Sequence, residues 1–279
     1  MSRVLVTGVR GKTGVPLAQL LVARQGVEVL GGSSDPTTVT LERVQPTAFS
    51  WDDVSTWAVA TDGVDAVYVV RPDRADAPEL IDALLTELPA QARVVLLSER
   101  NAEFPGGHRW AVRTEQVVRR SGRRWTVLRP SWFMQVLTDR RFFLDPVVDE
   151  GELAFPSGGV SLAWIDALDI AAVAERALVD DGHHAQVYEL TGPESLTLPQ
   201  VADQLSTAAG HRVTHREVTI DEALEGLSGF ERDLTLWTFE RVHAGSFTPV
   251  TDTVQRVTGR PARTLETFLA DSADELRRD

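Results

Sequence analysis

The sequence predicts an α/β protein: a doubly wound parallel sheet over residues 1–150, followed by a smaller C-terminal lobe over residues 151–279. Three observations carry this. Through the first half, near-continuous apolar runs alternate with stretches of helical spacing, the pattern of strands buried on both faces and joined by helices. The first run, Val4-Leu5-Val6-Thr7, meets glycines spaced G-x-x-G-x-x-G at Gly8, Gly11 and Gly14 and passes straight into an amphipathic stretch. In the second half the alternation breaks into short strands and longer helices.

In order, strands are expected over Arg3–Thr7, Val27–Leu30, Asp65–Val70, Arg93–Ser98 and Trp125–Arg129, with a weaker one near Pro46–Phe49. Helices are expected over Val15–Arg24, Ala77–Leu88 and Arg109–Ser121. Parallel neighbours require right-handed crossovers, and ligands of such sheets lie at the carboxyl ends of the strands. The lobe reads as short strands at Gly151–Pro156 and Val160–Trp164, then a helix entered through Ile165-Asp166 and running to Val179. A strand at Gln186–Leu190, a helix at Leu198–Ala209 stopped by Gly210, a strand near Arg212–Glu217 and further helices complete it. The lobe is expected to lend pieces back to the sheet.

Composition narrows the class. With 279 residues, 43% hydrophobic and 25% charged, the chain has material for a substantial core. A formal net charge of -13 disfavours nucleic acid and anionic membrane surfaces as partners. There are no cysteines, so disulfides, thiolate metal sites and a cysteine nucleophile are excluded. Met1-Ser2-Arg3 leads directly into a strand and no apolar stretch approaches a bilayer span, so no signal peptide and a cytoplasmic location are expected. His183-His184 has no neighbouring ligand cluster, and no metal site is expected.

The glycine turn carries the first functional reading. A strand ending at a tight glycine turn that opens a helix forms a pyrophosphate site, because the backbone can approach the phosphates and the helix presents free N–H groups and a positive dipole end. This predicts a Rossmann-like, dinucleotide-binding first domain, with Gly8, Arg10, Gly11, Lys12, Thr13 and Gly14 at the cofactor. The second strand runs into Gly31-Gly32-Ser33-Ser34-Asp35 with no acid directly at its tip. Ser33 and Ser34 can donate to a 2′-phosphate, with Arg10 and Lys12 supplying positive charge; Asp35 can instead hold the ribose hydroxyls. NADP(H) is favoured over NAD(H). Trp51 and Asp52, after the third strand, are placed near the adenine.

At this point the chain resembles a family. The segment Thr7-Gly8 to Gly11-Lys12-Thr13-Gly14 is similar to the NmrA-like atypical short-chain dehydrogenase/reductases. So are Leu128-Arg129-Pro130-Ser131-Trp132-Phe133-Met134, the Ile165-Asp166 to Asp169-Ile170-Ala171 segment, and Tyr188-Glu189-Leu190-Thr191-Gly192-Pro193-Glu194. Val257-Thr258-Gly259-Arg260-Pro261-Ala262-Arg263-Thr264, with Asp65-Ala66-Val67-Tyr68-Val69-Val70 and Pro72, resembles the branch containing the ergot-alkaloid agroclavine dehydrogenase. The resemblance implies Val70, Arg71 and Pro72 along the dinucleotide, Ser98 near the nicotinamide end and Pro130 shaping the nicotinamide pocket. Many members carry an arginine after the second strand; this chain does not. The family includes NADPH-dependent reductases and redox-sensing proteins without catalysis.

The chemistry is bounded by an absence. Ordinary short-chain dehydrogenases protonate a carbonyl oxygen with a tyrosine whose pKa is lowered by a lysine three residues later. Here the only tyrosines are Tyr68 and Tyr188, inside expected strands, and the only lysine is Lys12 in the glycine turn. Two routes remain. A substitute acid can act: His108, of a type that titrates at about 6.5, or Glu99, if burial raises it. Alternatively, an iminium or strongly activated C=C or C=N bond needs mainly hydride delivery and orientation. Trp132, Phe133 and Met134, with Trp164 and Trp237, are the expected apolar substrate wall. Asp166 reads as a helix N-cap and Asp169 as a first-turn acid. The favoured function is an NADPH-dependent reductase of a small, largely apolar imine, iminium or enone-like molecule in secondary metabolism. A cofactor-sensing regulator with a protein partner and a redox-silent isomerase or cyclase are the alternatives. The oligomeric state is left open.

Overall fold

The computed structural model describes residues 2–105 and 109–278. In chain order the strands are β1 (Ser2–Thr7), β2 (Val27–Ser33), β3 (Val44–Ala48), β4 (Ala66–Val70), β5 (Arg93–Leu97), β6 (Trp125–Pro130), β7 (Glu152–Phe155), β8 (Ser161–Leu162), β9 (Gln186–Leu190), β10 (Leu196–Thr197) and β11 (Thr214–Glu217). The helices used below are α1 (Gly14–Ala23), α2 (Trp57–Thr61), α3 (Ala77–Glu87), α4 (Trp110–Arg120), α5 (Ala167–Val179) and α6 (Leu198–Ala209).

The chain divides into two compact units. The first holds residues 2–103, 109–129 and 170–188; the second holds residues 104–105, 130–169 and 189–278. The expected boundary at residue 150 does not coincide with this division. The sheet takes β9 as its last strand, so the chain leaves the first unit after Arg129 and re-enters it at Ile170. No change of composition marks either crossing.

The seven-stranded sheet has the order β3-β2-β1-β4-β5-β6-β9, and every pairing from β3 to β6 is parallel. Strand order reverses between β1 and β4, the switch point of a doubly wound sheet. Val4, Leu5 and Val6 in β1 and Val67, Tyr68 and Val69 in β4 have no exposed surface. Their near-continuous apolar runs reflect a sheet covered on both faces, each such side chain contributing about 1.5–3 kcal/mol on burial. On α3, Ile81, Leu84 and Leu85 follow helical spacing and pack into the same core as Leu5, Leu30 and Leu96. β2 runs three residues beyond its expected end because Gly31 and Gly32 stay in register with Val6 and Thr7. Pro46 is accommodated because β3 is the sheet edge, where a missing N–H leaves no ladder broken.

Charged side chains close the opposite rim of this unit. Arg24 pairs with Glu175 and, at 2.9 Å, with Asp180, which Arg176 also reaches at 3.1 Å. Asp181 accepts from Arg93 at 2.7 Å and Arg124 at 2.8 Å. Burial alone would raise the Asp180 carboxyl, but hydrogen bonds from Arg176 and Arg24 overcome it and hold it below its ordinary range. The Arg124 hydrogen bond and Arg93 do the same for Asp181.

In the second unit, β7 pairs in parallel with β11 and β8 antiparallel with β10, over a core containing Phe155, Leu162, Trp164, Leu198 and Leu265. Two fully buried acids fasten this unit. Asp166 caps α5, its Oδ1 accepting from Leu168 N–H at 2.9 Å and from Gln135 Nε2 at 2.8 Å, while Oδ2 accepts from Arg263 Nε at 2.7 Å. Asp169 accepts from Arg263 N–H and Arg260 Nη1, each at 2.7 Å. The expected capping role is present; the pairing of both acids with the Val257–Thr264 segment is what local reading did not supply.

Two outcomes follow. Removing Arg263 leaves Asp166 buried without its counter-charge, so Arg263→Ala lowers the unfolding free energy by about 3–5 kcal/mol; an unchanged denaturant midpoint refutes the pairing. Asp180 and Asp181 have folded pKa values depressed below their unfolded ones. Their stabilisation is present above the unfolded carboxylate range and is lost as pH falls through the folded values, below about pH 4. The double variant Asp180→Asn/Asp181→Asn therefore melts lower at neutral pH and loses less on acidification, as thermal scans across pH will record.

Candidate active site

The site begins where β1 meets the glycine turn. The Thr7 hydroxyl donates to the Tyr68 carbonyl at 3.0 Å and accepts from Val70 N–H at 2.8 Å, tying the tips of β1 and β4. Gly8 takes φ +65°, and Gly11 N–H closes back on the Gly8 carbonyl at 2.9 Å. A Cβ at Gly14 would lie 2.3 Å from the Gly8 carbonyl oxygen and 2.8 Å from Val9 Cα, so only glycine lets α1 start this close to the strand. Beneath the turn the Tyr68 hydroxyl donates to Thr13 Oγ1 at 3.1 Å. Burial pushes the Tyr68 phenol far above its usual range, and it serves here as a brace.

A groove of about 680 Å³ opens over the carboxyl ends of β1 to β4. Gly8, Arg10 and Gly11 line it from the glycine turn, Ser33 and Ser34 from β2, Trp51 and Asp52 from beyond β3, and Val70, Arg71 and Pro72 from β4. Ten of the expected cofactor residues are thus brought together. Gly32, Phe49, Ser50, Asp73 and Arg74 join them, and the sequence reading missed these five. Trp51 stands edge-on to Phe49 at 5.1 Å and to Trp57 at 5.7 Å, so its ring is fixed. Arg74 bridges Asp52 and Asp76, each at 2.6 Å.

Lys12, Thr13, Gly14, Ser98 and Pro130 do not line the groove. Thr13 and Gly14 are buried under the turn, in the bracing and packing roles just described. The Ser98 hydroxyl donates to Glu115 Oε1 at 2.7 Å, and Arg129 grips the same carboxylate through Nε at 2.8 Å and Nη2 at 2.7 Å, with Arg119 at 2.8 Å. Ser98 is therefore part of a buried polar lock behind the strand tips. Pro130, buried, ends β6.

At the tip of β2, the Ser33 hydroxyl donates to the Asp35 carbonyl at 2.9 Å. Asp35 Oδ1 accepts from Thr37 N–H at 3.1 Å and from the Thr37 hydroxyl at 2.6 Å, capping the short turn Pro36–Thr38. Those two bonds, helped by Arg10, hold the Asp35 carboxyl below its usual range.

Of the two expected proton donors, His108 lies outside the described residues. Glu99 is an ion-pair partner: its Oε2 is 3.1 Å from Arg71 Nη2. The Arg71 guanidinium lies 4.0 Å from the centroid of the Trp110 ring, and Trp110 Nε1 donates to the Arg74 carbonyl at 2.6 Å. Asp73 keeps more than a third of its surface open, but the groove walls desolvate its carboxyl and raise it; Glu99 adds to the rise and Arg71 opposes it.

Within the second unit, Trp132 stacks with Phe239 at 6.2 Å and meets Phe155, Phe247 and Trp164 edge-on at 5.1, 5.6 and 6.4 Å. Trp132 and Phe133 keep part of their surface open, whereas Met134, Trp164 and Trp237 sit in the packed interior. Among the described residues, the buried indole N–H groups of Trp132, Trp164 and Trp237 have no hydrogen-bond partner.

The sequence profile described as NAD(P)H-binding matches residues 8–181. The chain is 35% identical to the NAD(P)H azoreductase of Xenophilus azovorans over 235 residues, 81% of each protein. It is 30% identical to the (4-alkanoyl-5-oxo-2,5-dihydrofuran-3-yl)methyl phosphate reductase of Streptomyces griseus, over 97% of this chain and 98% of that one. Agroclavine dehydrogenase of Claviceps fusiformis is 30% identical over 96% of both chains.

The closeness of α1 to β1 sets one outcome. Gly14→Ala forces the helix start away from the Gly8 carbonyl, costing about 1–3 kcal/mol of stability and at least tenfold in dinucleotide affinity. Calorimetric titration beside thermal melting reads both, and unaltered affinity would detach the turn from the binding site.

Proposed function

Because the chain belongs to the NAD(P)H-binding family, among the NmrA-like atypical short-chain dehydrogenase/reductases, and is an NAD(P)H-dependent oxidoreductase, we propose that it is an NADPH-preferring reductase of activated C=N or C=C bonds. Its substrate would be a small, largely apolar molecule of secondary metabolism. The observation that carries this reading is the groove over the tips of β1 to β4, floored by a glycine turn too tight for any side chain at Gly14.

The residues present fit a dinucleotide. Glycines at the turn leave room for a diphosphate against its main-chain N–H groups; in the first turn of α1, Val15 N–H is spent on the Gly11 carbonyl at 3.1 Å and Pro16 has none, so the turn itself carries the fit. At the tip of β2, Asp35 is already engaged as a cap, which leaves Ser34 exposed and Arg10 exposed across the groove. A donor and a cation at this tip suit a 2′-phosphate, with Asp35 turned to its cap through Oδ1. Trp51 and Pro72 offer flat surfaces on which an adenine can rest.

When bound, the reduced cofactor supplies the hydride; the protein's part is orientation and charge. Tyr68 braces the turn from below and Lys12 stands in it, so the usual tyrosine–lysine proton donor has no counterpart in this sequence. An acceptor already electrophilic at carbon needs no such donor before hydride arrives. The expected apolar wall of Trp132 and Phe133, which keep part of their surface open, is consistent with a largely apolar acceptor.

Kinetics with both cofactors test this. Arg10→Ala and Ser34→Asp are each expected to weaken NADPH by about 10- to 100-fold while shifting NADH by less than about threefold. NADPH oxidation across a panel of azo dyes, enones and imines identifies the acceptor. Equal losses for both cofactors would overturn the preference, and oxidation of neither would overturn the reductase.

A further inference from the structure

We propose that the Asp52–Arg74 ion pair is a clasp between two walls of the groove, parting to pass a dinucleotide and rejoining over it, so that it sets the rate of cofactor exchange and leaves the affinity unchanged. The proposal rests on the reading of this groove as the dinucleotide site.

The sheet order shows what the pair spans. β3 and β4 are not neighbours: β2 and β1 stand between them, so their tips are three strand spacings, about 14 Å, apart. Yet Arg74 Nη1 donates to Asp52 Oδ1 at 2.6 Å. Asp52 comes from the segment beyond β3 and Arg74 from the segment beyond β4, and both line the groove. The two segments therefore lean together past the tips of β2 and β1, and the charged pair is where they meet.

Each wall is anchored short of the pair. On the β3 side, the Ser50 carbonyl accepts from Trp57 Nε1 at 2.7 Å, Ser50 N–H donates to Thr56 Oγ1 at 3.1 Å, and Asp52 N–H donates to Ser50 Oγ at 3.2 Å. On the β4 side, the Arg74 carbonyl accepts from Trp110 Nε1 at 2.6 Å and from Ala77 N–H at 3.1 Å. The Arg74 guanidinium grips Asp76 through Nε at 2.6 Å and Nη2 at 2.9 Å, which leaves Nη1 to cross to the other wall. The Asp52 side chain is the moving part. It is 85% exposed, and among the described residues its carboxylate is met only by Arg74.

Magnitude separates a clasp from a structural tie. A tie that registers this unit is buried: Glu115 is 2% exposed and its partner Arg129 9%. Asp52 and Arg74 stand in water, at 85% and 40%, where an ion pair favours joined over parted by no more than about fivefold. That is too weak to hold the fold and suits a contact broken at every passage. An exposed side chain turns within nanoseconds. The pair is then open for a fixed fraction of the time, and entry and exit are slowed by the same factor.

Stopped-flow mixing with NADPH, followed by its fluorescence, gives the association rate, and displacement by excess NADP+ gives the dissociation rate. The double variant Asp52→Asn/Arg74→Gln decides, because it removes the pair while keeping the net charge that steers an anionic cofactor. Both of its rates are expected to rise by about two- to fivefold, with Kd within about twofold of wild type. Each single variant should show the dissociation rate of the double, since all three lose the same pair. Rates in the double variant equal to those of wild type overturn the clasp. Faster dissociation alone, with Kd weakened to match, overturns it too and makes the pair a ligand contact. A wild-type protein that binds no NADPH defeats the reading of the groove instead, a different result from binding at rates that the pair does not alter.

Discussion

The approach of α1 to the end of β1 is the contact on which the rest depends. With the Gly14 Cα so near the Gly8 carbonyl that a Cβ would fall at 2.3 Å, the helix start sits directly over the strand tip. That contact fixes where the turn's N–H groups point, and the groove takes its floor from it. Tyr68 and Thr7 then secure the same spot from the side of β4: one braces Thr13 from below, the other joins the two strand ends. A tyrosine and a threonine that elsewhere serve chemistry are here committed to holding a backbone shape. The geometry of the turn is thus over-determined, which is what the proposed phosphate site needs if it is to bind without reorganising.

Arginine supplies nearly all the positive charge of this chain, and the structure uses what distinguishes it from lysine. Glu115 is met by Arg129 through two nitrogens, a planar fork on a planar carboxylate. Asp166 and Asp169 are held by Arg263 and Arg260, with a main-chain N–H as a third partner. Buried pairs of this kind add little net stability over apolar packing, but breaking one is expensive. Their value is in registration. The first lock sets α4 against β5 and β6; the second sets the Val257–Thr264 segment against the start of α5.

Most of the sheet was legible because its strands are buried on both faces and announce themselves as unbroken apolar runs. β9 and α6 fall on the residues expected, and β4, β5 and β6 differ from expectation by one residue at an end. β2 was read short because glycines argue against a strand locally, while the register with β1 keeps Gly31 and Gly32 in the ladder. Gly8, Gly11, Ser33, Ser34 and Trp51 were legible for a related reason: in a parallel sheet, whatever follows an apolar run lies at its carboxyl end. Asp73 and Arg74 follow such a run too, but exposed charges after a strand look like ordinary solvated turn residues. The pairings of Ser98 with Glu115, Asp166 with Arg263 and Arg71 with Trp110 join segments distant in sequence, and no periodicity encodes them. His108 stands outside the described residues, so only the sequence speaks for it.

Glu99 shows how the fold adds a contact that residue type alone does not announce. As an acid just past the tip of β5 it reads as a proton donor. In the structure its Oε2 lies 3.1 Å from Arg71 Nη2, and the Arg71 guanidinium lies 4.0 Å from the centroid of the Trp110 ring. The same carboxyl therefore helps to hold a residue of the groove wall in place. On the function proposed above, the site needs no protein acid before hydride transfer, because an acceptor already electrophilic at carbon takes hydride first.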